Sequence, residues 1–147
     1  METIFDAKEL RRSGYYKWYA PEELYKEILE KLEIVFEKMS DKVERLENDE
    51  KYFAIYVGIA EKQPVIRRIG NHLYNSFSSS SLRKAIRRVY KVKTNDEIND
   101  FMDKLKVQFF FNDSKNLHTI ESKTLEDNFF VLNKQGNKQW LKKLAIR

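Results

Sequence analysis

Apolar residues recur along the chain with two different spacings, and these spacings predict both strands and helices. Short runs rich in aromatic and β-branched residues predict strands at Gly14–Tyr19, Tyr52–Gly58 and Lys106–Phe111. Between the first two strands, apolar residues follow one another at steps of three and four from Pro21 to Leu46. This spacing predicts one long amphipathic helix with a buried apolar stripe.

The second predicted strand is followed by a turn and a helix that together suggest a functional site. Gly58 ends the strand, and Pro64 suits the first turn of a helix because its missing N–H would have no partner there. Arg68 and His72 are four residues apart, so their side chains share one face of that helix. A tyrosine, an arginine and a histidine are thereby directed towards one small volume, and these groups suit a phosphodiester.

The rest of the chain contains mainly helix signals. The four serines at 78–81 predict a surface loop whose last serine or two cap a basic helix over Leu82–Lys91. The remaining signals predict a capping box at Thr94–Glu97, a helix from about Ser114 to Leu125, an extended Val131–Asn133 and a short terminal helix around Trp140–Leu144. Three short strands and several helices predict a small α/β domain.

Composition excludes several classes of protein and site. The chain of 147 residues has no cysteine and two histidines, which excludes disulfides and thiolate metal sites and argues against a histidine-rich zinc site. No apolar run approaches the roughly 20 residues of a membrane span, and the N-terminus lacks signal-peptide features. We therefore expect a soluble, cytoplasmic protein with no membrane partner. The net charge of +5 permits a polyanionic partner.

Several residues match, in order, the motifs of a known nuclease family. They are Gly14-Tyr15-Tyr16, Tyr56-Val57-Gly58, Arg68, His72, Glu121 and Asn133. This ordered set resembles the GIY-YIG nuclease superfamily over residues from Gly14 to about Asn137. The histidine four residues after the arginine and the asparagine twelve after the glutamate look most like the restriction-endonuclease branch.

The resemblance implies a fold as well as a chemistry. It implies a single GIY-YIG-like domain over residues 1–147, with a three-stranded antiparallel sheet flanked by helices. Tyr16, Tyr56 and Phe109 should lie on its three strands. In this superfamily the two tyrosine motifs usually sit on a tight hairpin, so residues 21–48 are expected to be a helical insertion between the first two strands.

The resemblance implies a metal-dependent endonuclease that hydrolyses DNA phosphodiesters. Two tyrosines would assist the attack of a water molecule on the phosphodiester. We favour Tyr56 as the residue that activates the water and Tyr16 as a residue that orients it. Arg68 would stabilise the charge that develops on phosphorus oxygens, since a guanidinium keeps its charge and matches phosphate. His72 would either share the proton of the water or hold a tyrosine hydroxyl.

Glu121 is the metal ligand that the resemblance implies. Mg²⁺ or Mn²⁺ prefers oxygen ligands and Mg²⁺ keeps several waters, so one protein carboxylate can be enough. Glu126 is a rival that lies too close to Asn133 for the family spacing. Asn133 would either bridge a phosphate or hold the backbone of its own turn, and the sequence leaves both open.

Nucleic-acid contact is predicted for a set of cations. Duplex DNA is the expected partner, and a homodimer is left open. The predicted contacts are Lys17, Arg83, Lys84, Arg87 and Arg88, most of them on the basic helix. Such a helix can also be merely a solubilising face.

One departure from the family keeps a second function open. Many members carry a lysine just after the second motif's glycine, and here that position is Ile59. Lys17 or Lys62 could replace it. The alternative is a nucleic-acid-binding module on the same fold that has lost catalysis.

Overall fold

An antiparallel sheet of four strands forms the centre of the fold in the computed structural model, which describes residues 4–61, 63–74, 80–92, 94–113 and 115–133. The strands are β1 (Gly14–Pro21), β2 (Arg45–Leu46), β3 (Asp49–Ala60) and β4 (Lys106–Phe111). Their order across the sheet is β2-β3-β1-β4.

The register of the sheet brings the two tyrosine motifs together. On β1, Tyr16 lies opposite Gly58 of β3 and Phe109 of β4, and Trp18 lies opposite Tyr56. The predicted antiparallel sheet with Tyr16, Tyr56 and Phe109 on its strands is therefore confirmed. The prediction of three strands is wrong by one, because the two-residue β2 adds a short fourth strand beside β3.

Helices pack around this sheet. They are α1 (Glu22–Lys31), α2 (Phe36–Met39), α3 (Val65–Tyr74), α4 (Ser81–Tyr90), α5 (Asn95–Met102) and α6 (Leu117–Asp127), with 3-10 turns at Glu9–Arg11 and Ser40–Lys42. Within the described ranges, none of these helices combines the length and the apolarity that a bilayer crossing needs.

Alternation along β1 divides the apolar residues between two cores. Tyr16 and Trp18 belong to the larger core, which also contains buried residues of α1, α3, α4 and α5. Val57 and Tyr19 belong to a smaller core with Leu125 of α6. Because successive side chains of a strand point to opposite faces, the tyrosine at position 16 and the lysine at position 17 cannot serve one site directly.

The predicted long helix over Pro21–Leu46 is wrong, because α1 ends at Lys31. Glu33 has a φ of 59°, in the left-handed region. The amide of Ile34 donates to the Leu29 carbonyl and the amide of Glu33 donates to the Glu30 carbonyl, which together form a Schellman motif. Glycine usually occupies the left-handed position, so a glutamate there gives no stop signal in the sequence.

Three of the other predicted helix starts agree closely with the structure, whereas α6 begins at Leu117, after the predicted start near Ser114. Helix α3 begins directly after Pro64, the Ser80 side chain accepts from the Arg83 amide at the start of α4, and Thr94 accepts from the Glu97 amide at the start of α5. The segment Val131–Asn133 is a turn rather than extended, so that expectation is wrong. The predicted terminal helix lies outside the described residues.

Replacing Glu33 with glycine should stabilise the protein. The left-handed conformation costs an L-residue with a side chain roughly 1–2 kcal/mol, and glycine avoids that cost but loses more backbone entropy on folding. We expect a net gain of about 1 kcal/mol in the free energy of unfolding, measured by urea denaturation. Glu30→Gly, within α1, is the matched control and should lower stability by about 1 kcal/mol. A loss of stability in Glu33→Gly would contradict the Schellman assignment.

Candidate active site

The innermost part of the candidate site is a contact between Tyr16 of β1 and His72 of α3. Both side chains are buried, and the Tyr16 hydroxyl lies 2.5 Å from His72 Nε2. The Tyr16 phenol lies over Gly58, where any Cβ atom would overlap it. Glycine at position 58 therefore makes room for the tyrosine, which explains why these two residue types belong to paired motifs.

A serine continues this contact on the other side of the imidazole. His72 Nδ1 lies 2.6 Å from the Ser80 hydroxyl, and that oxygen also accepts from the Arg83 amide at 3.2 Å. Tyr16, His72 and Ser80 thus form one buried hydrogen-bonded chain that ends on the first turn of α4. These hydrogen bonds hold the imidazole between strand β1 and the N-terminus of α4.

Tyr56 of β3 lies beside Tyr16 but has its own partner. The two phenol rings stack at 6.5 Å between centroids, and the Tyr56 hydroxyl lies 2.5 Å from the Ser81 hydroxyl. Two consecutive serines at the start of α4 therefore contact the two tyrosine systems separately.

A cleft of about 320 Å³ opens at Tyr56. Residues of β3, α4, α6 and the turn after α6 line it, and they contribute cations, a carboxylate, hydroxyls and an apolar part. The lining residues are Tyr56, Ser81, Lys84, Arg88, Glu121, Leu125, Leu132 and Asn133.

Burial has the largest effect on the ionisation of the two phenols, and the charges of Arg68 and Glu121 modify it. Burial raises the pKa of both Tyr16 and Tyr56, and the Arg68 charge partly offsets this for each. Glu121 acts on both phenols in the opposite direction, which places its carboxylate near them. Burial lowers the pKa of His72 to about 3, and the charges of Arg68 and Arg83 add to that effect. His72 is therefore neutral at ordinary pH.

A family model described as the GIY-YIG catalytic domain matches residues 14–146. The chain belongs to the GIY-YIG nuclease superfamily. No curated protein and no solved structure gives a significant match to it. The matched residues include both tyrosine motifs and the strand, helix and turn segments around the cleft of this GIY-YIG domain.

Five of the residues singled out from the sequence act on one another in the GIY-YIG domain, and two of them, Tyr56 and Glu121, line the cleft. Tyr16, Tyr56, Arg68, His72 and Glu121 are linked by the contacts and charge effects given above. Three neighbours could have been confused with them, namely Arg67, Glu126 and His118, and the charge of His118 opposes the effect of burial on the pKa of Glu121.

Those neighbouring residues are exposed. Arg67 is exposed on α3, whereas Arg68 is partly buried. Glu126 is exposed on α6, whereas Glu121 lines the cleft. His118 is also exposed, and its Nε2 lies 2.6 Å from a Glu61 carboxylate oxygen.

Arg83 is not part of an exposed basic face, so that expectation is wrong. Its side chain is 1% exposed. Its guanidinium donates to the carbonyls of His72 and Leu73 and to the side chains of Asn95 and Asn99. A buried guanidinium with this set of partners ties α3, α4 and α5 together and cannot meet a phosphate outside the protein.

Lys17 also lies away from the site. Its ammonium group is 2.8 Å from both carboxylate oxygens of Glu44, and Lys17 points to the opposite sheet face from Tyr16. It therefore cannot replace the lysine that Ile59 lacks, and its predicted contact with nucleic acid loses its geometric basis. Lys62, the other candidate, lies outside the described residues.

The Asn133 side chain holds a backbone, but not that of its own turn as one of the two predictions had it, and its phosphate contact stays a prediction. Its side-chain carbonyl accepts from the Val57 amide at 2.8 Å, and its side-chain NH₂ donates to the Val57 carbonyl at 2.9 Å. It thus holds the backbone of β3 rather than its own turn, and it does so at the wall of the cleft.

The basic face of α4 is smaller than predicted. Lys84 and Arg88 are exposed and line the cleft, and Arg87 is exposed without lining it. The spacing of four residues between Lys84 and Arg88 puts them on one face of the helix.

Ser80 and Ser81 are the site residues that sequence reasoning missed. The serine run signals only a loop and a helix cap, and the cap was found. The contact partners of these hydroxyls lie on α3 and β3, so no local pattern could indicate them.

Glu121 of the GIY-YIG domain is suited to bind the divalent cation that the family implies, as its one protein ligand. Burial raises the pKa of Glu121, and within the described residues no Lys or Arg lies within salt-bridge distance of it. A partly buried carboxylate in a cleft without a direct cationic partner is suited to an added cation. The described residues hold no cluster of three or more His, Asp or Glu ligands. An ion there would keep several waters, as Mg²⁺ does.

The buried neutral His72 should make the protein less stable in acid. Its pKa is lowered from 6.5 to about 3, so between these pH values the unfolded chain binds a proton that the native protein does not. Stability should therefore fall with decreasing pH, by up to about 1.4 kcal/mol per pH unit from this group.

The measurement is the free energy of unfolding against pH for the protein and for His72→Gln. The variant should have the shallower slope between about pH 6.5 and 3, whatever its absolute stability. Identical slopes would show that His72 is not held neutral.

Proposed function

We propose that this GIY-YIG domain is a metal-dependent endonuclease that hydrolyses DNA phosphodiester bonds. The observation that supports the proposal is that Tyr56 and Glu121 line one cleft together with Lys84 and Arg88. Tyr16 and His72 pack against Tyr56, and the Arg68 charge acts on all three of these side chains. Hydrolysis needs a base near the water, positive charge for the developing phosphorane and a stabilised leaving oxygen, and these groups match those needs.

Tyr56 is the residue that we assign to water activation. It lines the cleft, whereas Tyr16 is enclosed, so a water can reach the Tyr56 hydroxyl more directly. Burial raises the pKa of Tyr56, but the Ser81 hydrogen bond and the Arg68 charge both act to lower it. Burial is the largest of these effects and leaves the pKa of Tyr56 raised, so the phenolate that takes a proton would need added positive charge at the cleft, such as a bound divalent cation.

Arg68 is the residue that we assign to stabilisation of the transition state. Its guanidinium is donor-only and stays charged, so it can follow the negative charge that grows on the phosphate oxygens. The same charge acts on Tyr16, Tyr56 and His72, which supports this assignment.

Glu121 is the residue that would hold Mg²⁺ or Mn²⁺. When bound, such an ion polarises the phosphate and steadies the leaving oxygen. Lys84 and Arg88 would contact the phosphates of a duplex next to the cleft. Contacts with phosphates do not distinguish one base sequence from another.

The alternative, a binding module without catalysis, keeps one observation in its favour. Ile59 stands where many members have a lysine, and Lys17 is held on the other sheet face by Glu44. The two functions share the cleft and its cations, so they differ only in cutting.

Cutting should depend on the hydroxyl of Tyr56 and on two charges. Tyr56→Phe keeps the ring, Glu121→Gln keeps the shape, and Arg68→Ala removes one cation from a partly buried position. Each should lower the rate of nicking of supercoiled plasmid by about 10²–10⁴ with Mg²⁺ or Mn²⁺.

Tyr15→Phe is the matched control, since it also removes one phenol hydroxyl. Tyr15 stacks on Phe110 on the sheet face away from Tyr16, so its variant should cut like the parent. Nicking by the parent that persists in a chelator contradicts metal dependence. Binding without nicking in Mg²⁺ and in Mn²⁺ supports the binding module.

DNA binding should depend on Lys84 and Arg88. Replacing both with glutamine removes two phosphate contacts, so affinity for any duplex should fall. The slope of log affinity against log salt should become shallower by about 2. Fluorescence anisotropy with a labelled duplex measures both quantities.

Lys51→Gln with Lys104→Gln is the matched control. Both lysines are exposed, and neither lines the cleft. An equal loss of affinity in the two double variants would show that the cleft has no special role in binding.

A further inference from the structure

We propose that Ser80 is a positioning residue that holds His72 in the tautomer with its proton on Nε2, and thereby turns the Tyr16 hydroxyl into a hydrogen-bond donor towards the cleft. The role of this donor in DNA cleavage rests on the proposed function. The tautomer of His72 does not depend on that function.

The direction of the hydrogen bonds begins at the Arg83 amide. A backbone N–H can only donate, so the Ser80 oxygen is the acceptor in their 3.2 Å contact. Ser80 is fully buried, and a buried hydroxyl proton needs an acceptor within the protein. Among the described residues, the hydrogen-bond partners of the Ser80 hydroxyl are this amide and His72 Nδ1. The proton of Ser80 is therefore donated to Nδ1.

The imidazole transmits this direction to Tyr16. Neutral His72 has one ring proton, and with Nδ1 acting as acceptor that proton is on Nε2. Nε2–H then donates to the Tyr16 oxygen at 2.5 Å. Each link donates in the same sense, starting at the positive N-terminal end of α4, and aligned hydrogen bonds of this kind strengthen one another.

The consequence for Tyr16 is that its own proton is directed away from His72. The charges of Tyr56, Arg68 and Glu121 act on Tyr16, and the Arg68 side chain also hydrogen-bonds to it. A guanidinium can only donate, so the Tyr16 oxygen accepts from Arg68 as well as from His72. A phenol that receives a hydrogen bond from an imidazole is a better donor to a growing negative charge, which is the arrangement of an oxyanion hole. His72 is then the support for a donor and not the base for the water.

The decisive measurement is the tautomer of His72 in the folded protein. The chain has only two histidines, so protein labelled with ¹⁵N-histidine gives a simple two-bond ¹H–¹⁵N correlation spectrum, and His118→Gln identifies the signals of His72. We expect a pyrrole-like Nε2 and a pyridine-like Nδ1. The opposite pattern, or an equal mixture, overturns the proposal.

Variants separate positioning from helix capping. Ser80→Ala loses both the cap and the Nδ1 partner, so the single tautomer should be lost, and Ser80→Thr should restore it. Thr94→Ala is the matched control, because it removes the equivalent cap from α5 without touching His72. A Ser80→Ala protein whose His72 keeps the parent pattern overturns the assignment.

Activity gives a second readout. Nicking by Ser80→Ala should fall at least about tenfold relative to Thr94→Ala, with DNA affinity unchanged, because the lost group acts on the transition state. Equal nicking by these two variants contradicts the role of Ser80 in the reaction. If the parent does not cut DNA, the proposed function fails while the spectrum of His72 still decides the tautomer.

Discussion

The phenol of Tyr16 lies across Gly58 on the neighbouring strand, and much of the site depends on this contact. Only a residue without Cβ leaves room for the ring, so the tyrosine of one motif and the glycine of the other satisfy a single steric requirement. The antiparallel register then sets Trp18 opposite Tyr56. Once the ring is in place, its hydroxyl meets His72, and the remaining groups are arranged around that pair.

Arg83 links the stability of the fold to the chemistry of the site. The last carbonyls of a helix lack partners within it, and Arg83 supplies donors to two of them, on His72 and Leu73. Its positive charge next to the imidazole also disfavours the protonated form of His72. The residue that anchors the end of α3 therefore also contributes, after burial and Arg68, to the low pKa of His72.

The parts of the structure that sequence predicted are those with local signals. Alternation and aromatic composition indicated β1, β3 and β4, and the Thr94–Glu97 box indicated α5. The convergence of Arg68 and His72 with the tyrosines followed from helical spacing and from the family motifs.

What the sequence did not predict depends on contacts distant in the chain. Arg83 looks like a surface cation within a basic helix, because its acceptors come from α3 and α5. The left-handed Glu33 has no glycine to announce it, and the partner of Asn133 lies on β3. In each case the deciding group belongs to another element, so periodicity and propensity could not reveal it.

Asn133 also covers part of the edge of the sheet. Strand β2 reaches only Phe53 along β3, so the backbone of β3 beyond that point needs other partners on the same side. A side-chain amide offers the same donor and acceptor as a peptide group, and Asn133 applies both to Val57, while the Leu132 amide donates to the Ile55 carbonyl. Two residues of a turn therefore act as a substitute strand. They close part of an edge that could otherwise pair with a strand of another molecule, so the wall of the cleft also protects the β3 side of the sheet from edge-to-edge association.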